Sequence, residues 1–506
     1  MSGRLLVCFA LVEWFCVAGL GAIGPDTTLI DAAKRGDGAA VRTLVGLHSD
    51  VNAAEADGMT ALHWAVRAGD SQTTRVLIRA GARVNAATRY GVTPLWLAAT
   101  NGDAALIGLL LAAGSDPSAR GPAGETILMA AARTGRLDAV TELIGRGVDV
   151  NATEASQQQT ALMWAAAENH ADVVKTLLDH RANLDARSKV LTPPEWKWAT
   201  TGMVSTPLPR GGWTALMYAA RQNAVEAARA LAEGGANLNL QDPDGTTALN
   251  FAIINAHFDL ASMLLDKGAD PNVADETGTG ALYAAVDMHT MTPMIARPSP
   301  KLMDRLDALA LVQALLAHGA DPNARLKRVA LGRLHESADL ALGEGSTPLM
   351  RASKSNDIAV MRVLLDHGAD PTLTQRDYTN ALMIEAAGGA RQSDYPTKLP
   401  VTEAGALEGI ALLLDRGVDV DAYNVSGQTA LHMAAGRGAD RIVALLAARG
   451  AKLDVRNKQG HTPVEVALGA GRYRPGQGPP VVYDKTAALL RQLMGSVEAA
   501  VPSPRP

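Results

Sequence analysis

The chain has 506 residues, of which 47% are hydrophobic and only 4% aromatic, so its core must come mainly from Ala, Leu, Val and Ile. This length exceeds what one compact core organises and predicts several domains or a repeat array. With 47 basic and 52 acidic residues the net charge is −5, which argues against a general nucleic-acid binder. The two cysteines, Cys8 and Cys16, exclude a cysteine-ligated metal centre or a disulfide framework further along the chain.

Residues 1–24 are predicted to be an export signal. Arg4 precedes an apolar stretch from Leu5 to Leu20, and small residues follow where cleavage could fall. The stretch is short for a membrane span, which needs roughly 20 apolar residues, and Glu13 interrupts it. An uncleaved anchor and a cytoplasmic tail are the alternatives. The high usage of Ala, Gly, Leu and Arg suggests a bacterial chain, so we expect a periplasmic or secreted protein with no membrane span after signal removal.

A short phrase recurs along the rest of the chain, first in full as Thr60-Ala61-Leu62-His63-Trp64-Ala65. Most successive copies are 33 residues apart, a regularity that indicates a repeat architecture. A second phrase, Gly268-Ala269-Asp270-Pro271-Asn272 and its equivalents, closes each unit. We number the repeats by the first residue of the first phrase, which gives Thr27, Thr60, Thr93, Thr126, Thr160, Thr214, Thr247, Gly280, Thr347, Asn380, Thr429 and Thr462.

Each unit is predicted to form two short antiparallel helices and a turn. The threonine caps the first helix, and Pro94 shows the proline that suits the first helical position. Gly36 or an asparagine such as Asn169 marks the break between the helices, where a left-handed residue is needed. Gly81 and its equivalents end the second helix. Arg181 replaces that glycine in repeat 5, which predicts a local rearrangement.

The two phrases at this period resemble the ankyrin repeat, over about residues 27–494. The resemblance implies an all-α repeat solenoid, in which stacked helix-turn-helix units carry β-hairpin fingers along one edge. It also implies protein binding through the fingers and the concave surface of the first helices. We therefore expect an array of about twelve units over 25–494, a disordered tail over 495–506, and a monomer that binds a protein or peptide and no nucleic acid.

Five insertions interrupt the array. Two lengthen fingers, and three lie between the first and second helices of repeats 8, 10 and 12, where their proline content predicts loops. Because lengthening a loop costs little closure entropy, each insertion could also be present without a function. They lie near residues 188–212, 287–301, 326–345, 388–403 and 469–483.

The candidate binding residues are aromatic. The residue two after the anchor leucine points away from the core by about 200° and is predicted to face the concave side. Exposed Trp and Tyr side chains are typical binding anchors, although packing between adjacent first helices is an equally open interpretation. The candidates at this position and on the first long finger are Trp64, Trp164, Trp196, Trp198, Trp213, Tyr218 and Phe251.

Catalytic motifs are not found in the sequence: it has no phosphate-binding loop, no metalloprotease motif and no nucleophile elbow. The recurring aspartates and the scattered histidines fit turns and helix ends. We therefore expect a non-enzymatic protein with no metal site and no cofactor. The alternative is a ligand-binding or catalytic protein whose site is built from the insertions. Its candidates lie on the second long finger: Arg325, Lys327, Arg328, Arg333 and His335.

Overall fold

The computed structural model describes residues 27–191, 210–290, 304–328, 342–388, 402–471 and 481–500. Throughout these ranges the chain is an all-α repeat solenoid made of successive helix pairs. It divides into two compact units, of which the first ends at Pro243 and the second begins at Asp244. The predicted export signal, residues 1–24, lies outside the described residues.

The first unit contains repeats 1 to 6, and each repeat contributes one helix pair. First helices pack against the first helices of the neighbouring repeats, and second helices pack likewise. The helices are α1 Thr27–Lys34, α2 Gly38–Gly46, α3 Ala61–Arg67, α4 Ser71–Arg79, α5 Pro94–Asn101, α6 Ala104–Ala112, α7 Ile127–Thr134, α8 Leu137–Gly145, α9 Ala161–Ala167, α10 Ala171–Asp179, α11 Ala215–Gln222 and α12 Val225–Glu233.

The second unit contains repeats 7 to 12 with the same pairing. Its helices are α13 Ala248–Ile254, α14 Phe258–Asp266, α15 Ala281–His289, α16 Ala308–Ala317, α17 Pro348–Lys354, α18 Ile358–Asp366, α19 Ala381–Ala386, α20 Glu403–Asp415, α21 Ala430–Ala435, α22 Asp440–Ala448, α23 Pro463–Ala467 and α24 Asp484–Ala500.

Three helix ends in this unit differ from the predicted boundaries. Helix α15 continues through Asp287 and His289, where the sequence placed the start of a loop, because both side chains find partners there in repeat 9. Helix α20 begins at Glu403, the last residue assigned to another loop. Helix α24 continues past residue 494 to Ala500, although Gly495 does not favour a helix. The central parts of the insertions lie outside the described residues.

The capping residues hold the first helices as predicted. The Thr93 hydroxyl accepts a hydrogen bond from the backbone N–H of Trp96 at 3.2 Å, and Pro94 follows at the first helical position. In repeat 2 the Thr60 N–H donates to His63 Nδ1 at 3.2 Å, so His63 Nε2 donates to the Val92 carbonyl at 3.1 Å. Burial lowers the pKa of His63, which keeps this ring neutral and confirms its structural role.

Left-handed residues end the helices where the sequence requires them. Gly36, Gly81 and Asn169 all have positive φ. Arg181 keeps the left-handed conformation of the glycine that it replaces, with φ 63°, so the predicted rearrangement is wrong. Its carbonyl accepts a hydrogen bond from the Asn151 amide at 3.1 Å, a contact that holds the turn in place.

In repeats 7 and 8 the asparagine that closes the unit joins it to the next repeat. Asn272 Nδ2 donates to the Gly319 carbonyl at 2.9 Å, and its Oδ1 accepts from the Asp321 N–H at 2.8 Å. Asn323 makes the same two contacts with the following repeat. The Asp270 carboxylate accepts from the Asn272 N–H at 2.8 Å, which confirms that this aspartate belongs to the turn.

The fingers are formed by turns and isolated antiparallel bridges in the described ranges. Ala54 pairs with Thr60, and Leu191 pairs with Arg210 at the base of the first long finger. In the part of the chain that is described, no helix combines the length and the apolar character needed to cross a membrane.

Candidate functional site

Three of the predicted binding residues lie half-buried on the first helices of the first unit. Trp64 is on α3, Trp164 on α9 and Tyr218 on α11, and Trp213 lies just before α11 with similar exposure. Leu97 and Ala130 occupy the same helix position as Trp64 in repeats 3 and 4. Stacking of the repeats therefore does not require a large aromatic ring at this position.

Phe251 does not share this exposure. It lies on α13 in the second unit with only 4% of its surface exposed, so the expectation that it faces a partner is wrong. Helix α13 packs against α14 and α15, and Tyr283 and Met288 of α15 are buried as well. Removing this large apolar ring from water is favourable, which accounts for its place in the core. Trp196 and Trp198 lie outside the described residues.

Trp164, Tyr218 and Trp213 form a connected set, which we call the aromatic row. Gln159 Oε1 accepts a hydrogen bond from Trp164 Nε1 at 2.9 Å, and Gln159 Nε2 donates to the Tyr218 hydroxyl at 2.8 Å. The Tyr218 ring meets Trp213 edge to face, with centroids 5.4 Å apart and planes at 73°. The row thus crosses from repeat 5 to repeat 6 and fixes the rings by contacts with one another.

Two arginines flank the aromatic row. The Arg133 guanidinium lies 5.8 Å from the centre of the Trp164 ring, and the Arg221 guanidinium lies 4.9 Å from that of Trp213. These distances are within the range of cation–π attraction. The row therefore combines apolar rings with positive charge that lies over two of them.

The base of the first long finger supports Trp213. Its backbone N–H donates to the Ser188 hydroxyl at 3.0 Å, and its carbonyl accepts from the Ser188 N–H at 3.0 Å. Its indole Nε1 donates to Asp242 Oδ2 at 3.1 Å. Gly211 has φ 88°, and a Cβ there would lie 1.9 Å from the Lys189 carbonyl oxygen. These contacts place Trp213 at the root of the insertion near 188–212.

Trp64 carries a similar set of charged neighbours in repeat 2. Lys34 Nζ lies 4.8 Å from the centre of its ring, and the Arg67 guanidinium lies 5.2 Å away. The indole Nε1 donates to Glu55 Oε2 at 2.8 Å, and Lys34 forms an ion pair with the same carboxylate. Half-buried tryptophan rings with cations over them therefore occur in repeat 2 and again around repeats 5 and 6.

Comparisons with known families agree with the repeat pattern. The model for ankyrin repeats (3 copies) matches residues 29–121, 96–188 and 199–275. Models for ankyrin repeats (many copies) match residues 162–232 and 405–467, and the single ankyrin repeat matches 344–376. The chain belongs to the ankyrin repeat family.

A crystal structure of the human ASB11 ankyrin repeat domain is 26% identical over 48% of this chain and 98% of that chain, with a TM-score of 0.39. A search of curated proteins gave no significant match.

The alternative site on the second long finger gains no support from the described residues of this ankyrin repeat chain. Arg325, Lys327 and Arg328 are exposed, and Arg333 and His335 lie outside the described residues. Among the residues that are described, no group of three or more His, Cys, Asp or Glu side chains could hold a metal ion.

The second unit contains a buried ion pair that was not predicted from the sequence. Arg351 Nε donates to Asp287 Oδ1 at 2.8 Å and Nη2 lies 2.7 Å from the same oxygen, while Nη1 donates to the Ser355 hydroxyl. Both charged side chains are about 97% buried. Asp287 Oδ2 has no hydrogen-bond partner. Arg351 occupies the same helix position as Trp64. A charged residue at this position is the signal in the sequence that could have indicated the ion pair.

A second missed residue is Glu385 on α19, which stands where other repeats have a buried alanine such as Ala165. Asn356 Nδ2 donates to its Oε1 at 2.5 Å, and its Oε2 has no partner. Gly409 faces it, and a Cβ there would lie 2.8 Å from Glu385 Oε1. Burial raises the pKa of Glu385 well above its usual range.

Proposed function

We propose that this ankyrin repeat protein is a non-catalytic scaffold that binds a protein or peptide through the first helices of its first unit. The observation that carries the proposal is the aromatic row, in which Gln159 connects Trp164 to Tyr218 across two repeats. Family membership supports protein binding in general. The aromatic row is the surface that we propose for this binding.

The aromatic row has the properties of a binding surface. Trp and Tyr are enriched among the residues that contribute most to the free energy of protein association, and the half-buried rings of the row still have surface that a partner could bury. The hydrogen bonds to Gln159 and the edge-to-face contact with Trp213 already restrict the rings, so binding loses less side-chain entropy. The apolar stretch of residues 5–20 supports the further proposal that this binding takes place outside the cytoplasm.

The test compares a double variant with a single variant. Each new residue is one that another repeat of this chain has at the equivalent position. Trp164→Leu with Tyr218→Leu introduces the leucine of Leu97, and Trp96→Met introduces the methionine of Met129. Trp96 is half-buried, and its indole donates to Glu125 Oε1 at 2.8 Å, outside the aromatic row. The Trp96→Met chain is therefore a control that loses a tryptophan and keeps the proposed surface.

Each chain is tagged at its carboxyl end, expressed in its own host and purified, and the bound proteins are quantified by mass spectrometry. We expect a partner that co-purifies with the wild type and with Trp96→Met and is lost with Trp164→Leu/Tyr218→Leu. The melting temperature of the double variant should stay close to that of the control. Equal capture by all three chains would contradict the proposal, and so would a loss of binding accompanied by a large loss of stability.

A further inference from the structure

Basic side chains recur at one position of the first helices in the first unit. Seven residues after the first residue of the repeat stand Lys34, Arg67, Arg133 and Arg221, in repeats 1, 2, 4 and 6. We call these four residues the basic row. Lys34, Arg67 and Arg133 are exposed, and Arg221 is half-buried. Each of them lies over a tryptophan ring of the proposed binding surface.

Lys34 is neutralised by its ion pair with Glu55, but two other members of the basic row are not. Across the described residues, Arg67 and Arg133 have no carboxylate within ion-pair distance. By contrast, Arg146 and Arg229 on the second helices pair with a glutamate one turn away. Asp31 is the one acidic residue within the first helices of the described first unit. Arg67 and Arg133 therefore leave positive charge beside the rings of Trp64 and Trp164.

A favourable interaction with the helix dipole explains a cation at the end of a helix, but it does not explain why these cations stack on half-buried tryptophan rings. Neighbouring helices pack about 8–10 Å apart. An extended chain advances about 3.3 Å per residue, so about three residues of it match one repeat. Five repeat spacings separate Lys34 from Arg221, and an extended segment of about 15 residues would span them.

We propose that the basic row and the aromatic rings beneath it bind an extended acidic segment of a partner protein. An acidic side chain at every third residue would meet the basic row, and apolar residues between them would contact Trp64 and the aromatic row. This inference rests on the proposed function and adds the chemistry of the partner. A nucleic acid fits less well, because the whole chain carries a net charge of −5 and repels a long polyanion.

The test uses fluorescein-labelled peptides of about five Glu-Leu-Ser units, a length matched to the spacing of the repeats. The matched peptide has Gln in place of Glu, and an oligothymidine of similar length tests a nucleic acid. Binding to the purified chain is measured by fluorescence anisotropy at low salt and at physiological salt. The variant Arg67→Gln/Arg133→Gln is compared with Arg75→Gln/Arg79→Gln, which removes the same charge from α4.

We expect the acidic peptide to bind about tenfold more tightly than the Gln peptide at low salt, with the difference shrinking as salt is added. Arg67→Gln/Arg133→Gln should weaken its binding by about five- to tenfold, while the α4 variant binds like the wild type. Equal binding of the Glu and Gln peptides would overturn the proposal. Equal losses in the two double variants would do the same, as would tighter binding of the oligothymidine.

The co-purification experiment separates this inference from the proposed function. A partner that is lost with Trp164→Leu/Tyr218→Leu and kept by Arg67→Gln/Arg133→Gln supports the binding surface and refutes the acidic segment. A partner that is kept by both variants refutes both proposals. A partner that is lost with both, and kept by Arg75→Gln/Arg79→Gln, supports both.

Discussion

The buried pair of Asp287 and Arg351 gives the largest effect that we expect from a single substitution. Arg351→Met removes both contacts of the guanidinium with Asp287 Oδ1, at 2.8 and 2.7 Å. Asp287 Oδ2 already has no partner, and its side chain is buried, so the substitution leaves a carboxylate without a compensating charge. Breaking one side of such a pair costs about 3–5 kcal/mol of folding free energy.

A second substitution should recover most of this loss. Asp287→Ile with Arg351→Met places at these positions the residues that repeats 7 and 11 have there, Ile254 and Met433. Because no charge remains to be desolvated, we expect the double variant to lie within about 1 kcal/mol of the wild type. The difference between the single and the double variant measures the cost of the unpaired carboxylate.

Native-state hydrogen exchange with mass spectrometry is the suitable assay, because a repeat array need not unfold in one step. Peptides from α15 and α17 report the free energy of local opening, and peptides from α3 in the first unit serve as an internal control. The reasoning would be refuted if Arg351→Met lowered the opening free energy by less than about 1 kcal/mol, or if the double variant were as destabilised as the single one.

Two further predictions concern stability. Because burial raises the pKa of Glu385, the folded chain keeps a proton that the unfolded chain releases above about pH 4.5, so stability is full below that pH and falls as the pH rises. Glu385→Gln should therefore be more stable than the wild type at pH 8 and lose that advantage by pH 5. In urea unfolding, the difference in unfolding free energy between the two chains should change by up to about 1.4 kcal/mol per pH unit. Parallel pH profiles of the two chains would contradict this prediction. Arg181→Gly should stabilise the chain by about 1 kcal/mol, since glycine adopts φ 63° without steric cost, and an unchanged urea midpoint would count against strain at this turn.

The repeat pattern predicted the fold well because the backbone of each unit depends on local chemistry. Caps such as Thr93 and left-handed residues such as Gly36 act within a few residues of their position, so the phrase that contains them specifies the turn. Ala256 is an exception, because it has φ 59° although it is neither a glycine nor an asparagine, the residues that indicate a left-handed conformation in a sequence. There the helices on either side impose a conformation that the residue itself does not favour.

The candidate site was harder to predict, because its side chains meet across repeats. The sequence identified Trp164 and Tyr218 from their helix position, but the Gln159 contacts that join them depend on a residue just before the first helix. Phe251 occupies the same helix position and is buried, since the residues packed around it differ from one repeat to the next. A repeat pattern predicts the direction of a side chain, but the exposure of that side chain depends on how the neighbouring repeat packs against it.

One contact recurs between first helices when residues are counted from the caps. The residue seven after the start of one repeat meets the residue four after the start of the next, as Lys34 and Arg133 do with the tryptophans of the following repeats. Asp287 and Arg351 obey the same rule although they lie 64 residues apart, because insertions lengthen loops and leave the helix positions unchanged. In the first unit this contact stacks a cation on a half-exposed ring, and in the second it is a buried ion pair. The same pair of positions can therefore hold the array together or present a charged aromatic surface, according to the two residues that occupy them.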